Sequence, residues 1–124
     1  MLGPARILVV SDRLSVEDLA SLIGNPFPDM VKFVVDVDRG LVAVGGELHS
    51  DAEAILLEHG SHQDALWGGN YFPGLGEVEC IAYTSLINIR PSRDNPGMNV
   101  GDPRLREQIQ RIVQARIGRG EPLR

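Results

Sequence analysis

Glu47, His49 and Asp51 alternate directly after the glycine pair Gly45-Gly46. On one extended strand their side chains share a face. Two carboxylates and an imidazole so placed can hold a divalent metal and activate a water, the chemistry of a small metal-assisted hydrolase. A second reading competes for the same residues. Ser50 with Glu53 three positions later has the spacing of a capping box, which turns the chain into a helix and swings Asp51 away from His49. An acid in a first helical turn is then there for the helix dipole. The capping reading takes precedence and leaves Glu47 as the residue it does not explain.

The remaining reactive side chains carry less. His59 and His62 straddle Gly60, so no single helix face holds both, and they read as surface residues. The stretch HGSHQD contains serine, histidine and aspartate without the strand–elbow–helix context of a nucleophilic serine; Ser61 with Asp64 reads as another cap. Gly45-Gly46 lacks the Lys-Ser/Thr pair of a phosphate-cradling loop. Cys80 has no cysteine partner, which fits a reducing, cytoplasmic setting and a buried apolar role. Trp67, Tyr71 and Phe72 in LWGGNYFPG form an aromatic cluster, either a stacking ledge for a ligand or a lid on the core. Arg90 and Arg93 open the segment RPSRDNPGMNVGD, residues 90–102. So long a stretch without regular structure is often functional, and its arginines could meet a carboxylate or phosphate.

The elements that must position these groups follow from periodicity. Residues 6–11 read as a strand. Ser15 caps a helix whose stripe is Val16, Leu19, Ala20 and Ile23, stopped by Gly24 and Pro26. Val31, Phe33, Val35 and Val37 alternate with Lys32, Val34, Asp36 and Asp38, the pattern of a half-buried strand with its acids on the wet face and at the turn. Asp38-Arg39-Gly40 turns the chain back into residues 41–48. A helix follows to Gly60, then a short turn over 61–67 ending at Gly68-Gly69. Residues 79–89 read as the last strand, ending before Pro91. Asp102-Pro103 starts a terminal helix with Leu105, Ile109, Ile112, Val113 and Ile117 inward. The order β-α-β-β-α-(α)-β-α predicts an α+β fold, a four-stranded mixed or antiparallel sheet with helices on one face.

At 124 residues the chain is one domain, with an ordered core of about 5–118 and a flexible tail over 119–124. Its apolar runs are far too short to span a bilayer, so no membrane partner is expected. The net charge of −5 is uneven: residues 1–98 hold fourteen acids and six bases, residues 99–124 three acids and six arginines. A basic end admits nucleic-acid binding as an alternative. At 100° per residue, however, Arg104 and Arg111 lie together while Arg106 falls on the opposite flank, and the acidic body opposes DNA.

The stretch over 29–73, with its GGELHSDAE and LWG elements, together with SLINIRPS over 85–92 and DPRLREQI over 102–109, resembles a family of small uncharacterised prokaryotic proteins classed as a domain of unknown function. The family pattern has an aliphatic residue where Gly69 stands here. The resemblance implies a single cytosolic domain and no reaction. The residues together favour a non-catalytic binding or protein-interaction module, with an unknown protein partner or a second copy of the chain meeting Trp67, Tyr71, Phe72, Arg90 and Arg93. No cofactor is expected unless Glu47, His49 and Asp51 bind a divalent metal.

Overall fold

The structure is a computed structural model and describes residues 5–24 and 26–123. Among these, five strands form one sheet in the order β1-β3-β2-β4-β5: β1 Ile7–Val10, β2 Val31–Asp36, β3 Leu41–Gly45, β4 Leu66–Tyr71 and β5 Ile81–Ala82. Every neighbouring pair is antiparallel. The helices are α1 Val16–Leu22, α2 His49–Glu58, the single turn α3 Gly76–Glu79, and α4 Pro103–Arg116. None is long and apolar enough to cross a membrane among the described residues.

The helices cover both faces of the sheet, not one. Phe33, Val35, Val42, Val44, Trp67 and Tyr71 lie under α1 and α4, packed with Leu19, Leu22, Ile109 and Val113. On the other face Val34, Ala43 and Leu66 meet Ala52 and Leu56 of α2. The reason is visible in β2, where Val34 and Val35 are adjacent. A strand apolar on successive residues is buried on both sides. Asp36 shares this fate and does not mark a wet face: it is 1% exposed. Its carboxylate accepts from the amides of Asp38 and Arg39 at 2.9 and 3.0 Å and from the Ser61 hydroxyl at 2.6 Å. Ser61 therefore anchors the hairpin turn and caps nothing.

Two expected helix starts form as read. The Ser15 hydroxyl accepts from the Asp18 amide at 3.0 Å, and the Asp102 carboxylate accepts from the Arg104 amide at 2.9 Å. The third does not. The N-cap of α2 is Leu48, no side chain caps it, and Ser50 lies exposed in its first turn. Gly45 and Gly46, at φ of 110° and 86°, end β3 and turn the chain before Ser50 can take the cap position.

The strand expected over 79–89 shrinks to Ile81–Ala82, with α3 before it and a 3-10 turn at Leu86–Asn88. The missing strand is β4, whose LWGGNY sequence looked like a turn. Its glycines mark close approach. A Cβ on Gly69 would meet Phe33 Cζ at 2.5 Å and the Ala82 carbonyl oxygen at 2.7 Å, and one on Gly68 would meet Ser85 at 2.8 Å. The C-terminal segment is also docked: the Gly120 amide donates to Tyr71 Oη at 2.9 Å, and the Gly76 amide donates to the Gly120 carbonyl.

Candidate functional site

On the α2 face, Lys32 of β2 and Asn70 of β4 are register partners. They stand where α2 ceases to cover the sheet. The first turn of α2 and the segment Thr84–Ile87 close around them, leaving a cavity of about 350 Å³ whose wall includes Lys32, Leu48, His49, Asn70, Thr84 and Met98. Three apolar residues at its rim, Leu48, Leu86 and Met98, remain exposed.

His49 reaches the cavity because it is the first residue of α2 and turns toward the sheet. It is only 9% exposed, and its Nε2 lies 2.7 Å from the Gly69 carbonyl oxygen. Burial pushes the imidazole down to about 4; the bond to Gly69 opposes this, the Lys32 charge adds to it, and the neighbouring Asn70 opposes it. At neutral pH the ring is therefore uncharged. A neutral ring that meets the Gly69 carbonyl through Nε2 carries its proton on that nitrogen.

Lys32 is the chain's only lysine. Its ammonium lies 5.0 Å from the Phe27 ring centroid, and burial lowers its pKa. No carboxylate among the described residues forms an ion pair with it. The uncapped N-terminus of α2 adds partial positive charge at the same wall, since the first amides of a helix lack partners within it. Thr84 Oγ1 donates to Asn99 Oδ1 at 2.6 Å, and Ser85 Oγ accepts from the Ile87 amide at 3.2 Å. The arrangement is an electropositive pocket floor with an apolar mouth.

Of the three residues first considered for metal chemistry, only His49 faces this cavity. Glu47 is exposed in the bend after β3 and Asp51 is exposed in the first turn of α2. Among the described residues no three His, Cys, Asp or Glu side chains stand close enough to share a metal ion. Trp67 and Tyr71 are core residues at 2% and 1% exposure, and Phe72 is half-buried, so the aromatic cluster presents no open ledge.

Arg90 lays its guanidinium over the Trp67 ring, 4.8 Å from the centroid, with Glu53 Oε2 at 3.5 Å. Its terminal nitrogens and Trp67 Nε1 are sealed from solvent without hydrogen-bond partners. Arg93 donates to the Asp64 carbonyl at 3.0 Å. Both arginines thus bind their own chain.

The segment 90–102 is organised by a residue that sequence reasoning passed over. Asn95 donates to the Asn88 carbonyl at 2.7 Å and accepts from the Gly101 amide at 3.0 Å. Asn88 in turn accepts from the Gly68 amide at 2.8 Å and donates to the Gly68 carbonyl at 2.9 Å, standing in for a strand partner beyond the end of β5. At the C-terminal end Arg106 covers Tyr83, Arg111 pairs with Glu107, and Arg116 donates to the Gly40 carbonyl, so these arginines form no open basic row.

A family model described as "Protein of unknown function (DUF5674)" matches residues 8–116. The chain belongs to this family. The match contains the whole cavity and every residue of its wall. Neither the curated proteins nor the solved structures hold a match to the chain. Family membership thus carries no reaction to this protein, and the chemistry has to be argued from the wall itself.

Proposed function

We propose that the protein is a non-catalytic binding protein that takes a small amphiphilic anion in the cavity beside His49. The observation that carries this reading is Lys32: a half-buried cation in the wall of the same cavity as an uncapped helix N-terminus, with no carboxylate paired to it among the described residues. An anionic head group would neutralise both, while a short apolar tail would lie on Leu48, Leu86 and Met98. The pocket volume falls at the lower end of the range for small-molecule sites, roughly 300–1,000 Å³.

The binding reading is favoured over an enzymatic one by the state of His49. A base with a pKa of about 4 is poorly matched to proton transfer at neutral pH. The metal-assisted alternative needs Glu47 and Asp51 beside His49, and both are exposed and outside the cavity wall; the nucleic-acid alternative needs a basic row from which Arg106, Arg111 and Arg116 are drawn into contacts within the chain.

Titration of the full chain with hexanoate, followed by NMR on the Lys32 side chain, tests the proposal. Saturable shifts at Lys32 and His49, abolished in Lys32→Met, are the expected result. Shifts that never saturate, or an affinity unchanged in Lys32→Met, would remove the proposal's basis.

A further inference from the structure

The two outer strands of the sheet are finished differently. β5 is two residues long, and just beyond it the Tyr83 carbonyl accepts from the Val100 amide while Thr84 bridges Asn99, so the chain itself closes that margin. β1 has no such cover. Its sequence, ILVV, holds no lysine or proline, and its ladder with β3 runs without a bulge. Those are the devices that commonly keep an outer strand from pairing with another chain. Among the described residues, no backbone amide or carbonyl of Ile7–Val10 bonds to backbone outside the ladder with β3, so the groups turned away from β3 lack backbone partners.

Both faces of β1 are apolar. Leu8 and Val10 pack into the core under α1 and α4, Ile7 and Val9 against the one under α2, and all but Val10 stay half-buried. Charge stands only at the strand's ends, with Arg6 before it and Asp12 after it, both exposed. A groove along this margin is lined by Leu8, Val9 and Val10 together with Asp12, Arg13 and Asp18. Arg13 is engaged elsewhere, donating to the Gln114 carbonyl.

We infer that a second copy of the chain docks here, β1 antiparallel to β1, joining two five-stranded sheets into one of ten strands. Joining an edge to itself in this sense keeps each face on its own side. Residues can therefore oppose one another only where their numbers add to an even value. With Val9 opposite Val9, Leu8 meets the second copy's Val10, and Arg6 meets its Asp12 at both ends of the contact. A shift either way sets a charge against an apolar residue: Arg6 against Val10, or Asp12 against Leu8. Charge thus selects the register, and Asp18 in the groove adds to the negative side that receives Arg6. The cavity beside His49 lies toward β4, across the sheet from β1, so this inference stands apart from the ligand reading.

Sedimentation of the full chain over a concentration series, with amide hydrogen exchange followed at β1, tests the inference. A reversible dimer is expected, in which the outward β1 amides exchange more slowly than in the monomer. Arg6→Glu and Asp12→Arg should each weaken the dimer about tenfold, because one substitution acts at both ends of a two-fold contact. The double swap should restore it. Thermal midpoints of the diluted variants check that each is folded. A chain that stays monomeric up to about 1 mM overturns the inference. So does a dimer indifferent to the single swaps, or one that the double swap fails to recover. Exchange in the parent chain decides the matter even where a variant fails to fold: outward β1 amides that exchange equally fast in monomer and dimer overturn it.

Discussion

His49 ties the site to the stability of the fold. Its folded-state pKa of about 4 lies below the unfolded value of 6.5, so as the pH falls the unfolded chain takes up the proton first. Stability from the neutral ring is complete above about pH 6.5, is lost progressively as the pH falls toward 4, and changes no further below that. The loss amounts to roughly 3 kcal/mol for this one group. His49→Gln keeps a neutral donor toward Gly69 but cannot titrate. Its urea midpoint should therefore fall less than that of the parent between pH about 7 and about 4.5. A parallel decline in both proteins would show that other groups govern the acid response. Asn88 gives a second test at this scale. Replacing it with leucine strands the amide and carbonyl of Gly68 in the interior and should cost roughly 2–4 kcal/mol in chemical denaturation. A loss below about 1 kcal/mol would mean that Gly68 finds water or another partner.

Among the elements, helix starts separate real caps from apparent ones. Ser15→Ala should lower stability by about 0.5–2 kcal/mol, because its hydroxyl holds the Asp18 amide. Ser50→Ala should stay within about 0.5 kcal/mol, since its side chain is exposed and caps nothing. Equal costs for the two would restore the capping box at Ser50. In β4, Gly69→Ala drives a methyl group into Phe33 and the Ala82 carbonyl and should cost about 1–3 kcal/mol, read as a lowered thermal midpoint. What was legible in the sequence follows the same division. Local signals sufficed for α1, α4 and the hairpin, because caps, prolines and apolar spacing act within a few residues. β4 was hidden because Gly68-Gly69 carries the marks of a turn, while its cause, the approach of Phe33 and Ser85, lies far away along the chain. The strand expected over 79–89 failed for the converse reason: its apolar residues are there, but Asn88 pairs with Gly68 through its side chain and ends the sheet early. Of the cavity, only His49 was legible. Lys32, Asn70 and Thr84 come from three separate segments, and no spacing rule joins them.

At the scale of the molecule, covering both faces of the sheet explains why the site sits where it does. α1 and α4 cover one face. On the other, α2 packs over Val34, Ala43 and Leu66 with Ile87 beside it, and the helix begins only at His49, short of the sheet's edge there. The uncovered remainder, at Lys32 and Asn70, is the floor of the cavity. The architecture therefore makes an opening where a helix is short, and places there a cation, a neutral ring and the helix's own electropositive end. One feature of that opening reaches beyond ligand recognition. Because Lys32 is the chain's single lysine, acylation, methylation or attachment of a tag to a side-chain amine can occur at one point only, and that point is inside the pocket wall. On the proposed binding reading, conjugation and occupancy compete: a seated guest would shield the amine from reagents, and a bulky group on the amine would take the guest's place.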